Sequence, residues 1–456
     1  MISSDTLSPE VTGGEIPYYK GSNFLFGSGL EFWKKPIDLM TRLRHQYPDI
    51  VRVRMAHEKV AFVYNPELAK PILQKTNKAF MGYPMVIRSI KSISGNNLFT
   101  AQGDEWSEQR KLLQPNFHKR ALNGFGEIIV SEAEKVAARW EKVSGEVSIA
   151  SDMQQAAFNA VARSLYSTDL EGQDELRADY ANGANYITYR IENPLAPPLA
   201  IPTPGNIKIR GARNRVNASI EAIIAERKNS DGEYNDFLQM LLETRYEDTG
   251  EPLEPELLLN QAAMFFFGGN GPPAKVLTWA FYYLNKHPEV EAKLHEELDR
   301  VLAGRNPTVE DLNELTYLQC IIDELLRMYP TAWAMPRQCV EDTQVGKYQF
   351  KKGDGLWVLL YNLHRHRDYW DDPETFDPER FAPEAVAKRP ALAYMPYGAG
   401  PRLCIAKHLS NLEMKMILAT LCQRFRVTAD KNMYVAPKIG FPLGPEGPVM
   451  MTPTLR

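Results

Sequence analysis

The sequence predicts a mainly α protein with a small β region contributed from both ends of the chain. Residues 287–302 are typical of its helical stretches, with apolar residues three and four positions apart on one helix face. Alternating β-branched and aromatic residues at 49–65 predict a β-hairpin, and short strand-like runs return after Pro330. Because no repeat or low-complexity linker divides the chain, we expect a single domain over residues 18–456 after a disordered segment 1–17.

Proline-rich segments mark the boundaries of the helices. Residues 192–206 (ENPLAPPLAIPTPGN) cannot form a helix, and they are equally consistent with a mobile lid and with a crossover loop. Segment 315–329 gathers its apolar residues on one helix face. A last helix is expected to begin near Ala406.

Composition argues against several classes of function. A formal net charge of -4 and a pI near 6.1 give no basic excess, so nucleic acid is not an expected partner. The cysteines form no CxxC pair, which argues against a disulfide framework or a structural zinc site and fits a reducing compartment. Neither a secretory signal nor a run of about 18 apolar residues is present, so we expect a cytoplasmic protein without a membrane anchor.

Residues 265–275 (FFFGGNGPPAK) interrupt what is otherwise one long apolar helix. Glycines and two consecutive prolines lie in its middle, and a proline costs roughly 3 kcal/mol in a helix interior. We expect the prolines to break the helix and to release the carbonyls of Gly268 and Gly269 toward a cavity.

Cys404 lies at the end of a glycine-rich loop, MPYGAGPRLC, immediately before a helix. Helix N-terminal amides and the nearby Arg402 both stabilise a thiolate over a thiol. Gly398 and Gly400 permit a tight turn that brings backbone amides close to the sulfur. This combination favours a functional thiolate over an inert, packed cysteine.

The loop resembles the haem-binding loop of the cytochrome P-450 enzymes, Phe-Gly-x-Gly-x-Arg-x-Cys-x-Gly. Tyr397 stands in place of Phe, and Ala406 in place of the final Gly. Three further family motifs occur in the expected order: a Trp-x-x-x-Arg helix, a Glu-x-x-Arg pair and a later arginine. The residues that carry them are Trp106, Arg110, Glu324, Arg327 and Arg380. The resemblance runs from about Tyr18 to the C-terminus.

The resemblance implies the fold and the cofactor. In the family, a triangular, prism-shaped helical body holds haem b between a long central helix and the helix that follows the cysteine loop. Cys404 is then the axial ligand of the iron, and Glu324, Arg327 and Arg380 form a buried network that supports the loop. The other haem contacts implied are Trp106, Arg110, Arg337, Tyr397, Gly398, Arg402 and Ala406, with the arginines directed at the propionates.

The resemblance also implies the reaction. A thiolate ligand pushes electron density toward bound dioxygen and favours O–O cleavage. We therefore expect oxidation of a hydrophobic small molecule, in secondary metabolism, by hydroxylation, epoxidation or oxidative cyclisation. The sequence has no Rossmann fingerprint and no flavin domain after the cysteine loop, so an external ferredoxin or flavodoxin is expected to supply electrons.

One family motif is altered. The central helix normally carries (Ala/Gly)-Gly-x-(Asp/Glu)-Thr-Thr, whose acid and alcohol relay protons, but Gly271 and Pro272 replace them here. Either substrate hydroxyls or water replace the pair, or the enzyme is a peroxygenase, an isomerase, a dehydratase or a nitrene-type group-transfer enzyme. We assign Cys404, Asn270 and Gly269 as catalytic. Asn270 either orients water or a polar substrate group, or caps the broken helix.

Candidate walls of the substrate pocket are apolar and aromatic, which suits a prenylated or polyketide-like molecule. They are Met85, Phe266, Phe267, Gly268, Trp333 and Phe441. A non-enzymatic haem sensor, the third interpretation, would use the same thiolate but needs no large apolar pocket.

Overall fold

The computed structural model describes residues 14–21, 23, 26–56, 58–76, 78–117, 124–193 and 196–456 of the 456-residue chain. Residues 1–13, most of the segment predicted to be disordered, lie outside the described residues. Contacts between residues group the chain into two compact units, so the single domain over 18–456 stays a prediction. Unit 1 is Met1–Ile87, Ala332–Thr375 and Val386–Cys404, and unit 2 is Arg88–Thr331, Phe376–Ala385 and Ile405–Arg456.

The protein is mainly helical, which confirms the predicted fold class. The helices are α1 (Gly29–Lys34), α2 (Pro36–Gln46), α3 (Pro66–Gln74), α4 (Pro84–Ser94), α5 (Gly103–Leu113), α6 (Gly126–Trp140), α7 (Ile149–Tyr166), α8 (Asp174–Glu192), α9 (Pro204–Lys228), α10 (Phe237–Glu243), α11 (Pro255–Lys286), α12 (Pro288–Leu302), α13 (Thr316–Met328), α14 (Leu360–Leu363), α15 (Pro383–Lys388) and α16 (Lys407–Cys422). Within the described residues, none of these helices is both long enough and apolar enough to cross a bilayer.

The β structure is small. The strands are β1 (Tyr18–Tyr19), β2 (Ile50–Met55), β3 (Glu58–Val63), β4 (Phe80–Gly82), β5 (Val147–Ser148), β6 (Met335–Cys339), β7 (Thr343–Val345), β8 (Tyr348–Phe350), β9 (Gly355–Val358), β10 (Phe425–Thr428), β11 (Pro437–Lys438), β12 (Gly444–Pro445) and β13 (Met450–Leu455). Unit 1 contains a six-stranded sheet in the order β1-β2-β3-β9-β6-β4. The predicted hairpin is confirmed, because β2 and β3 pair antiparallel with Val53 opposite Val60. Both valines are buried, as the alternation of the sequence requires.

Helix α11 in unit 2 runs without a break from Pro255 to Lys286, with Pro272 and Pro273 inside it. The prediction that the prolines break the helix is therefore wrong. The helix approaches α7 closely at this point, because a Cβ on Gly269 would lie 3.0 Å from the Val161 side chain, a spacing that glycine allows without any shift of Val161. Helix propensity is a weak preference that such tertiary contacts override.

The proline-rich segment connects α8 to α9. Its last residues enter α9, which begins at Pro204, because proline is tolerated in the first turn of a helix. The Asn206 side chain donates to the carbonyls of Pro198 (2.8 Å) and Ile201 (2.9 Å), and Arg190 donates to the carbonyl of Pro197 (3.0 Å). These bonds favour a crossover loop over a mobile lid.

Candidate active site

Two glycines shape the loop that precedes Cys404 in unit 1. Gly398 and Gly400 have φ values of +78° and +70°, in the left-handed region that favours glycine. A Cβ on Gly398 would lie 2.6 Å from the Met335 side chain, and one on Gly400 would lie 2.4 Å from the Leu73 carbonyl oxygen. Backbone conformation and space therefore both require glycine at these positions.

Backbone hydrogen bonds close the same loop around the cysteine. The Cys404 N–H donates to the carbonyl of Tyr397 at 3.0 Å. Cys404 itself is exposed, unlike the buried Cys339 and Cys422. Ala406 is the N-terminal cap residue of α16, so the helix begins at Lys407, one residue after the predicted start. The loop thus leaves Cys404 exposed, three residues before α16 begins, which suits a thiolate ligand.

Arg337, on β6 of unit 1, carries a buried positive charge. The residue is 8% exposed, and it donates to the carbonyl of Pro336 (2.9 Å) and, weakly, to the Thr76 hydroxyl (3.4 Å). Burial lowers the pKa of its guanidinium to about 10. Among the described residues, no carboxylate pairs with it. Because a buried charge requires compensation, a haem propionate fits this position.

The other residues assigned to the propionates lie on separate elements. Trp106 and Arg110 are four positions apart on α5 in unit 2, which places them on one helix face. Trp106 is buried, whereas Arg110 is half-buried and donates to Gln114 at 3.1 Å. Arg402 is half-buried in unit 1, at the end of a short 3-10 turn. Their role in haem binding stays a prediction.

The structure brings Glu324, Arg327 and Arg380 together in unit 2. Arg327 donates to the Glu324 carboxylate twice, at 2.6 and 2.8 Å, and neither side chain has any exposed surface. The Asp377 N–H also donates to this carboxylate at 2.9 Å, and the Arg380 guanidinium lies 3.6 Å from it. Glu324 and Arg327 are therefore a fully buried pair, not a solvated surface pair, and with Arg380 beside them they join α13 to the Pro378–Phe381 turn.

The side chain of Asn270 makes two hydrogen bonds within unit 2. Its amide nitrogen donates to the carbonyl of Phe266 at 2.7 Å, and its amide oxygen accepts from Gln154 of α7 at 2.9 Å. The residue is 5% exposed. Because the helix is unbroken, Asn270 does not cap it. Gly269 lies against Val161 of α7. The catalytic assignment of Asn270 and Gly269 stays a prediction.

Two of the predicted pocket residues meet in unit 2. The rings of Phe267 on α11 and Phe441 are stacked, with centroids 6.0 Å apart. Phe99 lies edge-on to Phe441, also at 6.0 Å, and is 40% exposed. Gly268 is exposed as well, whereas Met85 is half-buried on α4. Phe99, Phe441 and Phe267 form one row of rings, which we call the aromatic row.

The side chains of two other predicted pocket residues are buried against neighbouring rings, and their place in the pocket stays a prediction. Phe266 is 2% exposed and stacks on Tyr180 with centroids 4.5 Å apart. Trp333, in unit 1, packs between Phe32 (6.1 Å) and Trp357 (5.8 Å). Hydrophobicity alone does not distinguish a pocket wall from a core position, since both are apolar.

Sequence reasoning missed three residues of unit 2. Phe99 completes the aromatic row, and Gln154 holds Asn270. Thr188 of α8 accepts the N–H of Phe441 at 2.9 Å and thereby fixes the end of the row. Each is an ordinary residue for its local element, so no pattern in the sequence distinguished them.

Comparisons with known proteins agree with this geometry. The Cytochrome P450 family profile matches residues 17–450. Cyclooctat-9-en-7-ol 5-monooxygenase of Streptomyces melanosporofaciens is 30% identical over 418 residues, which cover 91% of this chain and 90% of that protein. Pentalenene oxygenase of Streptomyces avermitilis is 29% identical and covers 96% and 95%, and cyclooctatin synthase of Streptomyces melanosporofaciens is 29% identical and covers 95% and 94%.

These matches extend over nearly the whole chain, from before β1 into β13, and include the cysteine loop, α13 and α11. Two of the relatives are named for oxygenation, so the peroxygenase, isomerase, dehydratase and group-transfer alternatives and the haem sensor are not favoured. The chain belongs to the cytochrome P450 family of haem-dependent oxidoreductases.

Proposed function

We propose that this cytochrome P450 is a monooxygenase that inserts one oxygen atom into a hydrophobic, olefinic small molecule of the terpene type. The observation that carries the substrate class is the aromatic row. In this row the Phe99 ring is edge-on to Phe441 and the Phe441 ring is stacked on Phe267. Phe99 is 40% exposed. An exposed phenylalanine beside other rings is a surface suited to an apolar ligand.

The names of the relatives support the same class. One relative is named for cyclooctat-9-en-7-ol and another for pentalenene, and both names denote olefins with few or no polar groups. A ligand of this kind gains affinity mainly by burying apolar surface, at roughly 25 cal/mol per Å². The aromatic row supplies such surface without requiring a charged partner.

We propose haem b as the cofactor, with Cys404 as its iron ligand and Arg337 as a propionate partner in unit 1. The family motifs assign Arg402, Trp106 and Arg110 to the same group. When bound, a thiolate-ligated haem supplies the oxygen-activating redox chemistry. Tyr397 accepts the N–H of Cys404 and so holds the loop that presents the sulfur.

The protein itself fixes positions and excludes water. The network of Glu324, Arg327 and Arg380 makes α13 rigid, since every member is buried or nearly so. The aromatic row binds the substrate and displaces water from it. At positions 271 and 272 α11 offers no acid and no hydroxyl, so we assign proton delivery to water or to a substrate hydroxyl.

Family members receive electrons from redox partners, and we propose a ferredoxin or a flavodoxin for this chain. Activity is therefore expected to depend on an added partner.

Isotope labelling tests the proposed function directly. The holoenzyme, a ferredoxin, its reductase and NADPH are incubated with cyclooctat-9-en-7-ol or pentalenene under isotopically labelled dioxygen. We expect a product that carries one labelled oxygen atom, and no product from the Cys404→Ser variant. An unlabelled oxygenated product, or no product with either olefin, would refute the proposal.

A further inference from the structure

We propose that the main-chain carbonyl of Gly268 on α11 forms an acceptor site for the hydroxyl group of an alcohol substrate. The inference rests on the proposed function, because it specifies which olefins the enzyme prefers: those that already carry a hydroxyl. It also gives Pro272 of α11 a role that helix stability does not explain.

The prolines remove the donors that a helix normally supplies. In an α-helix each carbonyl accepts the N–H of the residue four positions later. Those residues are Pro272 for Gly268 and Pro273 for Gly269, and proline has no N–H. The helix nevertheless continues through this turn, so the carbonyl oxygen of Gly268, which faces open space, keeps acceptor capacity that ordinary helical carbonyls have already used.

No side chain of the described residues takes up that capacity. The nearest candidate along the helix is Asn270, but its amide nitrogen donates to Phe266 and its oxygen accepts from Gln154. Thr278, one turn beyond the prolines, donates to the carbonyl of Ala274 at 2.7 Å. A ligand hydroxyl that donates to the Gly268 carbonyl gains one net hydrogen bond, which contributes about 0.5–1.5 kcal/mol.

Gly268 is open to a ligand. It is exposed although Phe266 and Asn270, on the same turn, are buried. Since glycine has no side chain, its exposed surface is main chain. A Cβ added there would contact only the end of the Met264 side chain, at 3.5 Å, so the space beside Gly268 is otherwise empty.

The surroundings of the Gly268 carbonyl are apolar. Phe267, the next residue, stacks on Phe441, and the position of a Cβ on Gly271 is 3.5 Å from Pro442. A small polar patch within an apolar wall orients a ligand that has one polar group, because the rest of the ligand packs on the rings. Cyclooctat-9-en-7-ol, for which one relative is named, is an olefin with one hydroxyl.

A matched pair of ligands tests the site. Binding of cyclooctat-9-en-7-ol, and of the hydrocarbon that lacks only its hydroxyl, is measured by calorimetry on the holoenzyme. In Pro272→Ala, residue 272 regains an N–H that can bond to the carbonyl of Gly268. We expect the affinity for the alcohol to fall about three- to tenfold, the effect of one net hydrogen bond, with the affinity for the hydrocarbon unchanged.

The variant is expected to fold, because alanine is favoured over proline in a helix interior. Pro288→Ala, at the first position of α12, is the matched control, since no helical bond is missing there and neither affinity is expected to change. Equal affinities of Pro272→Ala and wild type for the alcohol, or an equal loss for both ligands, would overturn the hydroxyl site. Failure of the wild type to bind either ligand would instead overturn the proposed function.

Discussion

Removing the carboxylate of Glu324 is the change whose effect the structure specifies most fully. In Glu324→Ala the buried guanidinium of Arg327 loses the partner that it contacts at 2.6 and 2.8 Å. Breaking a buried ion pair on one side costs about 3–5 kcal/mol. The lost bond from the Asp377 N–H adds about 1 kcal/mol. We therefore expect the free energy of unfolding to fall by about 4–6 kcal/mol, a large part of the roughly 5–15 kcal/mol typical of a domain.

The measurement is a urea titration followed by tryptophan fluorescence, with the haem content of the purified protein determined in parallel. Glu247→Ala is the matched control, because Glu247 also pairs with a cation, Lys111, but both side chains are mostly exposed. Such a pair contributes little, so the control is expected to resemble the wild type. If Glu324→Ala unfolds at the same urea concentration as Glu247→Ala, the network does not stabilise the protein and this reasoning fails.

Three further predictions address the cysteine loop, His295 on α12 and the aromatic row. Gly400→Ala is expected to lower the haem content of the purified protein severalfold. The control Gly447→Ala, also at positive φ but with open space around it, is expected to keep its haem. Equal losses of haem in the two variants would contradict the steric argument. Burial and the neighbouring Arg456 and Arg426 lower the pKa of His295 from 6.5 to about 4, so the unfolded chain takes up a proton there that the folded protein does not. Stability measured by thermal unfolding should fall between about pH 6.5 and 4, and His295→Gln should flatten that slope. Phe441→Ala is expected to raise KM for the olefin about tenfold, whereas Tyr434→Ala, at an exposed ring outside the row, leaves KM unchanged.

The local patterns of the sequence predicted much of the fold. The alternation at 49–65 gave the β2–β3 pair, because one face of that pair is buried and so requires period-two hydrophobicity. The glycines of the cysteine loop indicated a tight turn, and their positive φ values are what such a turn needs. The spacing of Glu324 and Arg327 indicated an ion pair and the resemblance implied its burial, which the structure bears out with no exposed surface on either side chain.

Other features depend on contacts between distant segments. Pro272 and Pro273 were expected to break α11, yet the helix continues through them and packs closely on α7 at Gly269. Phe266 and Trp333 were expected in a pocket, and both are buried against neighbouring rings. Composition shows that such side chains avoid water. It does not show which neighbours they find, because that depends on tertiary packing.

The interpretation of the whole site depends on Cys404 as the iron ligand. The most direct test is the absorption spectrum of the reduced protein under carbon monoxide, recorded for the wild type, Cys404→Ser and the control Cys320→Ser. We predict the band diagnostic of thiolate ligation in the wild type and in Cys320→Ser, and its loss in Cys404→Ser. A wild-type spectrum without that band, or a Cys404→Ser variant that retains it, would contradict the assignment.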